Sequence, residues 1–274
     1  MAIKKVLITV KTYPSISSKY DELVCTAGFL EDGTWVRIYP IPFRKKSYYE
    51  QYSKYDWIEI DLIKNSRDFR PESYRPRIED SEIIKVGHID PINNWAERKK
   101  YVLNKVYYNL KELISEAKDE SIRTSLAVFK PAQILDFKVE YAERDWDPAK
   151  IAKLEAEREQ FKLFKQPENP IKIVRKLPYK FSYKLIDEIG TESTMMIEDW
   201  EIGQLFWNCL KNHGGDEDKA IEDVRNRYFE DFTKTKDLHL FLGTTFINHL
   251  RNAPNPFIII GTFHPKKTIQ PALF

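Results

Sequence analysis

Apolar and polar residues alternate with a period of two over residues 3–10, over the two runs that flank Asp32-Gly33, and over residues 57–63, with a weaker alternation over 81–89. That period is the signature of strands. Asp-Gly suits a two-residue type I′ turn, whose central residues both need φ > 0, so residues 24–44 are predicted to form a hairpin with Leu30 opposite Trp35, Gly28 opposite Arg37 and Thr26 opposite Tyr39. In that register Cys25, Ala27, Phe29, Val36 and Ile38 make an apolar face. Trp35, Arg37 and Tyr39 stand in a row on the other face, opposite the small residues Thr26 and Gly28.

From residue 95 the period changes. Val102, Val106, Leu110, Leu113 and Ala117 recur at spacings of four and three, predicting a helix over 95–117. Strands follow at 126–131 and 133–139, and Asp147-Pro148 reads as an N-cap with proline at the first helical position of a Lys- and Glu-rich helix reaching 164. Gln166, Pro167, Asn169 and Pro170 mark a linker, followed by a hairpin of 180–186 with 192–197. Asp199 and Asp216 are placed to cap two helices, the first with Ile202, Leu205, Phe206, Cys209 and Leu210 on one face. Strands at 237–242 and 257–263 enclose a short helix capped by Thr244 or Thr245, and residues 269–274 form an edge strand or a partner-binding tail.

These elements predict an α+β protein. An N-terminal small β-barrel-like or curled antiparallel sheet with helices fills residues 1–165, and an α/β subdomain fills 166–274. The chain of 274 residues is long enough to bury a core without staples, and Cys25 and Cys209 each sit in an apolar pattern, as reduced thiols do. No apolar run is long enough for a membrane span, and the expectation is a cytoplasmic protein with no membrane partner.

Net charge is only +2, but it is unevenly spread. Residues 37–77 hold ten basic and six acidic side chains and 165–184 hold six and one, whereas 198–237 hold six basic and eleven acidic. A basic surface for a polyanion and an acidic C-terminal half facing a protein partner are the expected division.

The candidate chemistry follows that division. Trp35 and Tyr39 are predicted to stack on unpaired bases, Arg37 to stack or hydrogen-bond, and Arg44, Lys45, Lys46, Arg67, Arg70, Arg75 and Arg77 to hold phosphates. The leading expectation is therefore binding of RNA or single-stranded DNA without a cofactor. A second function is a nuclease in which Asp136 and Lys138 form the carboxylate and lysine half of a Mg²⁺ site, with Asp61 or Asp119 as the partner acid. A third is a protein-interaction module using exposed aromatics and the 269–274 tail. His239, His249 and His264 lie on neighbouring elements but lack metal-ligand spacing, and Gly243-Thr244-Thr245 lacks the longer glycine pattern of a phosphate-binding loop.

Overall fold

The computed structural model describes residues 3–17, 21–78, 80–162 and 173–268. The expected linker at 166–170 and the tail at 269–274 lie outside the described residues. The fold is α+β, with a closed barrel-like sheet first and an α/β region after it.

The barrel uses β1 (Ile3–Lys11), β3 (Asp21–Leu30), β4 (Trp35–Ile41), β5 (Asp56–Lys64) and β6 (Ser73–Pro76), hydrogen-bonded in the order β1-β3-β4-β6-β5 and closed by a β1–β5 pairing. The β4–β6 pair is parallel and the other neighbours are antiparallel. Counting barrel strands alone, the order is 1-2-3-5-4-1, that of the five-stranded Greek-key barrel known as the OB-fold. A short β2 (Ser15–Ser17) extends β3, and β7 (Ile84–His88) adds to β5. Alternate residues such as Val6, Ile8, Val36, Ile38, Ile58 and Ile60 fill the interior.

The hairpin exists, but its register differs from the expected one. Phe29, not Leu30, faces Trp35, and Ala27 faces Arg37. The loop has three residues, Glu31, Asp32 and Gly33, with the Gly33 N–H donating to the Leu30 carbonyl and the Leu30 N–H to that of Thr34. Gly33, at φ +82°, supplies the single left-handed residue that closes a type I turn with a bulge. One extra loop residue slides the pairing by one and exchanges the faces. Gly28, Val36 and Thr26 thus share the barrel side with Ile38, and Trp35 and Arg37 point outward beside Phe29 and Ala27.

The region after the barrel begins with α1 (Ile92–Val102), β8 (Val106–Tyr107) and α2 (Leu110–Lys118) where one helix was expected. Val106 and Tyr107 pair in parallel with β9 (Leu126–Phe129), so sheet pairing overrides the helical spacing. Asn109 then restarts the helix, its side chain accepting from the N–H groups of Lys111 and Glu112. β10 (Gln133–Tyr141), α3 (Pro148–Lys162), β11 (Tyr179–Ile186) and β12 (Glu192–Met196) follow, and β10 pairs along its length with β11, so the chain on either side of residue 166 shares one sheet. Next come α4 (Trp200–Asn212) and α5 (Glu217–Arg225), capped by Asp199 and Asp216 as their spacing requires. A π-helical stretch, Asn226–Asp231, runs into α6 (Phe232–Thr235). β13 (His239–Thr244), α7 (Phe246–Leu250) and β14 (Phe257–Phe263) complete the second of the two sheets outside the barrel, ordered β14-β13-β9-β8.

The two parts meet over an extensive apolar seam. Leu7, Val10, Ala27 and Phe29 on the outside of the barrel pack against Leu126, Val128, Phe241, Ile260 and Phe263. Each of the Leu, Val, Ile and Phe side chains contributes about 1.5–3 kcal/mol when fully buried, so the seam holds the parts together firmly. Tyr13 adds a polar tie: its ring lies on Gly203 of α4, and its hydroxyl accepts from Trp207 Nε1 at 2.8 Å. Among the described residues no helix is long and apolar enough to cross a membrane.

Candidate nucleic-acid interface

The structure distributes the sequence-predicted residues over three environments. Trp35 and Arg37 lie in the seam. Trp35 packs on Phe29, ring centroids 4.0 Å apart, and meets Phe241 edge-on at 5.9 Å. Arg37 is 3 % exposed; it donates from Nη1 to Ser125 Oγ at 2.7 Å and from Nη2 to the Ser125 carbonyl at 3.0 Å. Burial, with Arg70 nearby, pushes the Arg37 pKa below its ordinary value. The row therefore does not stand open as a face: the second sheet buries Arg37 at its centre, Trp35 is half-buried at one end, and Tyr39, 38 % exposed, reaches solvent at the other.

The basic loop is also largely structural. Arg70, 7 % exposed, is held by Asp68 through Nε and Nη2 and donates from Nη1 to the Thr244 carbonyl at 2.7 Å. Glu72 accepts from Ser125 N–H and Oγ, so the loop is sewn to the second sheet by the same serine that receives Arg37. Lys46 is buried as well, donating to the Ser81 carbonyl at 2.9 Å and pairing with Asp80 and Glu50. Arg67 and Arg77 remain exposed, Arg77 with Asp61 at 2.8 Å, and Arg75 is half-buried with Nη1 near the carbonyls of Pro76 and Arg77.

An open aromatic surface exists, between residues that sequence reasoning did not select. Phe43 and Tyr52 anchor the β4–β5 connection in the barrel end, 4.8 Å apart, and Lys46 pins its middle. Between these anchors Tyr48 and Tyr49 project into water, 83 % and 82 % exposed, with ring centroids 6.0 Å apart edge to face. Arg44 and Lys45 precede them, and Lys85 of β7 stands 6.0 Å over the Tyr48 ring. The sequence signal was local: two adjacent tyrosines after Arg44-Lys45-Lys46.

A cleft of about 470 Å³ opens at the seam between the barrel, α1, α4 and the π-helical stretch. Its floor is a buried charge cluster in which Lys54 Nζ reaches Asp199 at 3.1 Å and Glu201 at 2.8 Å. Burial disfavours the ammonium, yet the two carboxylates prevail and its pKa lies above the ordinary lysine value. Beside it His264 stacks on Phe232 at 4.0 Å, and burial pushes its pKa down to about 4, so the ring is neutral at pH 7. On the opposite wall Asn93, Asn94 and Trp95 have φ of 50°, 52° and 63°. Left-handed backbone is tolerated by Asn but strained for Trp, at about 1–3 kcal/mol per residue. The Asn94 side chain holds the turn by bonding both the N–H and the carbonyl of Lys266.

The acids named for a nuclease site each take other partners. Asp136 accepts from Phe137 N–H and lies 3.5 Å from Arg225, Asp61 pairs with Arg77 on the barrel, and Asp119 accepts from Ser121. The histidines find separate partners: His249 bonds Thr244 and the Ala117 carbonyl, and His239 the Asp237 carbonyl. Among the described residues no group of three or more His, Cys, Asp or Glu is placed to hold a metal ion. The N-terminus of α7, after Gly243-Thr244-Thr245, is capped by Thr245 Oγ1 accepting from Asn248 N–H.

Comparison with curated protein sequences finds no match. Among solved structures, one titled "Structure of murine DNA binding protein bound with ds DNA" aligns over the whole of both chains at 11 % identity with a TM-score of 0.34, a likeness too slight to carry an argument. Two family models match, one for the barrel and one for the rest. Residues 2–104 match a domain of unknown function, DUF8758, and residues 107–274 match a second, DUF8757. The latter spans more than half of the chain, which belongs to the DUF8757 family of domains of unknown function.

Proposed function

We propose that this protein binds RNA or single-stranded DNA on the barrel surface around the β4–β5 connection. The observation that carries the reading is the Tyr48–Tyr49 pair, two rings more than four-fifths exposed and flanked by Arg44, Lys45 and Lys85. Aromatic side chains usually bury most of their large surface. Here Phe43, Tyr52 and Lys46 fix the loop on both sides, so the rings are presented by a rigid support. Stacking of a base on such a ring contributes about 1–3 kcal/mol, and it requires bases that are not already paired. Nearby cations supply the phosphate contacts, with Arg67, Arg75 and Arg77 of the neighbouring loop as further candidates. The strand order of the barrel is compatible with this reading and is not an argument for it.

The test is fluorescence anisotropy with labelled single-stranded RNA, single-stranded DNA and duplex DNA. Tyr48→Ala/Tyr49→Ala should weaken single-strand affinity roughly 30-fold or more, since two stacked bases are lost. Because both rings are exposed, the melting temperature should hardly change. Unchanged affinity in the double variant would refute the assignment.

A further inference from the structure

The seam cleft contains a cation that makes no direct ion pair among the described residues, Asp90 and Glu201 acting on it only at longer range. Arg98 is 7 % exposed, its guanidinium carbon stands 3.7 Å from the Tyr55 ring centroid, and its Nε–H donates to the Ile89 carbonyl at 2.8 Å. Its two terminal amino groups have no hydrogen-bond or ion-pair partner among the described residues, although Arg98 lines the cleft. These nitrogens are not among the buried unpartnered atoms and so keep access to solvent, and a planar fork of donors selects a carboxylate or a phosphate. By contrast, the lysines around the larger cavity, of about 850 Å³, are engaged: Lys130 with Asp237, Lys234 with Glu230, Lys236 with Asp231, and Lys267 with the carbonyls of Thr233 and Lys234.

The rest of the cleft is built for a flat ring. Trp95 is only partly buried, with Arg98 5.0 Å from its ring, and Tyr228 and Phe232 form the far wall. Polar groups stand at the margin: the His264 ring, whose Nδ1 is 3.3 Å from Thr262 Oγ1, and the half-exposed Glu201 carboxylate. Arg227 lies at the mouth with Asp231 at 2.5 Å. Two backbone irregularities converge here, the left-handed turn that aims Trp95 and the π-helical stretch that carries Arg227 and Tyr228. Such departures collect where a side chain must be placed against its local preference.

We propose that this cleft holds one nucleotide unit, its base against Trp95 and its phosphate on the terminal nitrogens of Arg98. The unit comes either as a free mononucleotide or as an end or extruded residue of a bound single strand. The strand-borne form rests on the nucleic-acid reading above; the free form does not. The chemistry is binding alone, with no bond made or broken.

Isothermal titration of the full chain with the four 5′-mononucleotides and with inorganic phosphate tests it. At least one mononucleotide should bind saturably and phosphate alone at least roughly tenfold more weakly, because phosphate lacks the stacked ring. Arg98→Lys keeps the charge but loses the fork and should weaken mononucleotide binding roughly tenfold. Trp95→Asn removes the ring while suiting the left-handed backbone and should also lose binding; because the ring packs on Tyr55, Phe263 and His264, this variant is assayed below its melting temperature, with Arg98→Lys as the variant that leaves this packing in place. Mononucleotide binding that survives Tyr48→Ala/Tyr49→Ala would establish the cleft independently of the tyrosine surface. If wild type binds mononucleotides but no oligonucleotide, the cleft stands with a free nucleotide as its ligand and the strand reading falls. If Trp95→Asn also weakens oligonucleotide binding, the strand supplies the unit. If no mononucleotide binds and neither Arg98→Lys nor Trp95→Asn alters oligonucleotide affinity, the cleft assignment is overturned.

Discussion

Substituting Arg37 separates a seam residue from a ligand-binding one. In Arg37→Ala the guanidinium bonds to Ser125 Oγ at 2.7 Å and to its carbonyl at 3.0 Å are lost, along with a marginal contact to the Thr244 carbonyl at 3.5 Å. Hydrogen bonds from a charged donor contribute about 1.5–3 kcal/mol each, so the two good ones amount to roughly 3–6 kcal/mol. Part is returned, because a buried charge beside Arg70 is removed and Glu72 keeps its bonds to Ser125. The expected net loss is about 3 kcal/mol, the low end for breaking a buried charged contact. Urea unfolding followed by tryptophan fluorescence should show a lower midpoint at unchanged slope. The same preparation, at a temperature where it is folded, should bind single-stranded RNA within roughly twofold of wild type, as the seam is closed to solvent. Unchanged stability with a tenfold loss of affinity would refute the reasoning and restore the Trp35–Arg37–Tyr39 row as the binding face.

Two other substitutions probe the barrel and the cleft. A Cβ at residue 28 would lie 1.9 Å from the Leu7 carbonyl oxygen, which is backbone and has little room to give; Gly28→Ala should cost about 3 kcal/mol or more, lowering the melting temperature by roughly 6–12 °C. The His264 pKa, about 4 in the native state and ordinarily 6.5, means the unfolded chain binds the proton first as pH falls. Wild type should therefore lose stability relative to His264→Gln between about pH 6.5 and 4, by about 3 kcal/mol in all, and show no such difference above pH 7. Asp199, raised by burial to about 6, acts in the opposite sense over the same range in both proteins, so the difference between denaturation curves and not either curve alone is the readout. Parallel curves from pH 7 to 4 would contradict the burial of a neutral imidazole.

What could be read from the chain depended on the distance over which the cause acts. Caps at Asp199 and Asp216, the strand periods and the presence of the hairpin are local, and all appear in the structure. The register was not legible, because Asp32-Gly33 serves a two-residue and a three-residue loop equally well and the choice shifts every facing pair. Neither period nor composition told whether the Trp35 row was open, since closure of the barrel buries Val36 and Ile38 on one face of β4 and packing on β13 and β14 covers Arg37 and part of Trp35 on the other. Val106 and Tyr107 kept helical spacing yet pair with β9, a contact set by tertiary structure. The cleft joins Lys54 to Asp199 and Glu201 across some 145 residues, which no window of sequence reveals. Tyr48 and Tyr49 were visible as an aromatic pair beside a basic run, but only structure distinguishes two exposed rings from two core ones.

The most direct measurement is the salt dependence of single-strand affinity for wild type and for Arg44→Ala/Lys45→Ala/Lys85→Ala. Three phosphate-neutralising cations give a slope of log K against log salt of about −2 on a single strand. Wild type should show at least that slope, prefer single strands to duplex, and lose about two units of slope in the triple variant. No affinity at low salt, or a slope that the variant leaves unchanged, would contradict the nucleic-acid account of the barrel surface.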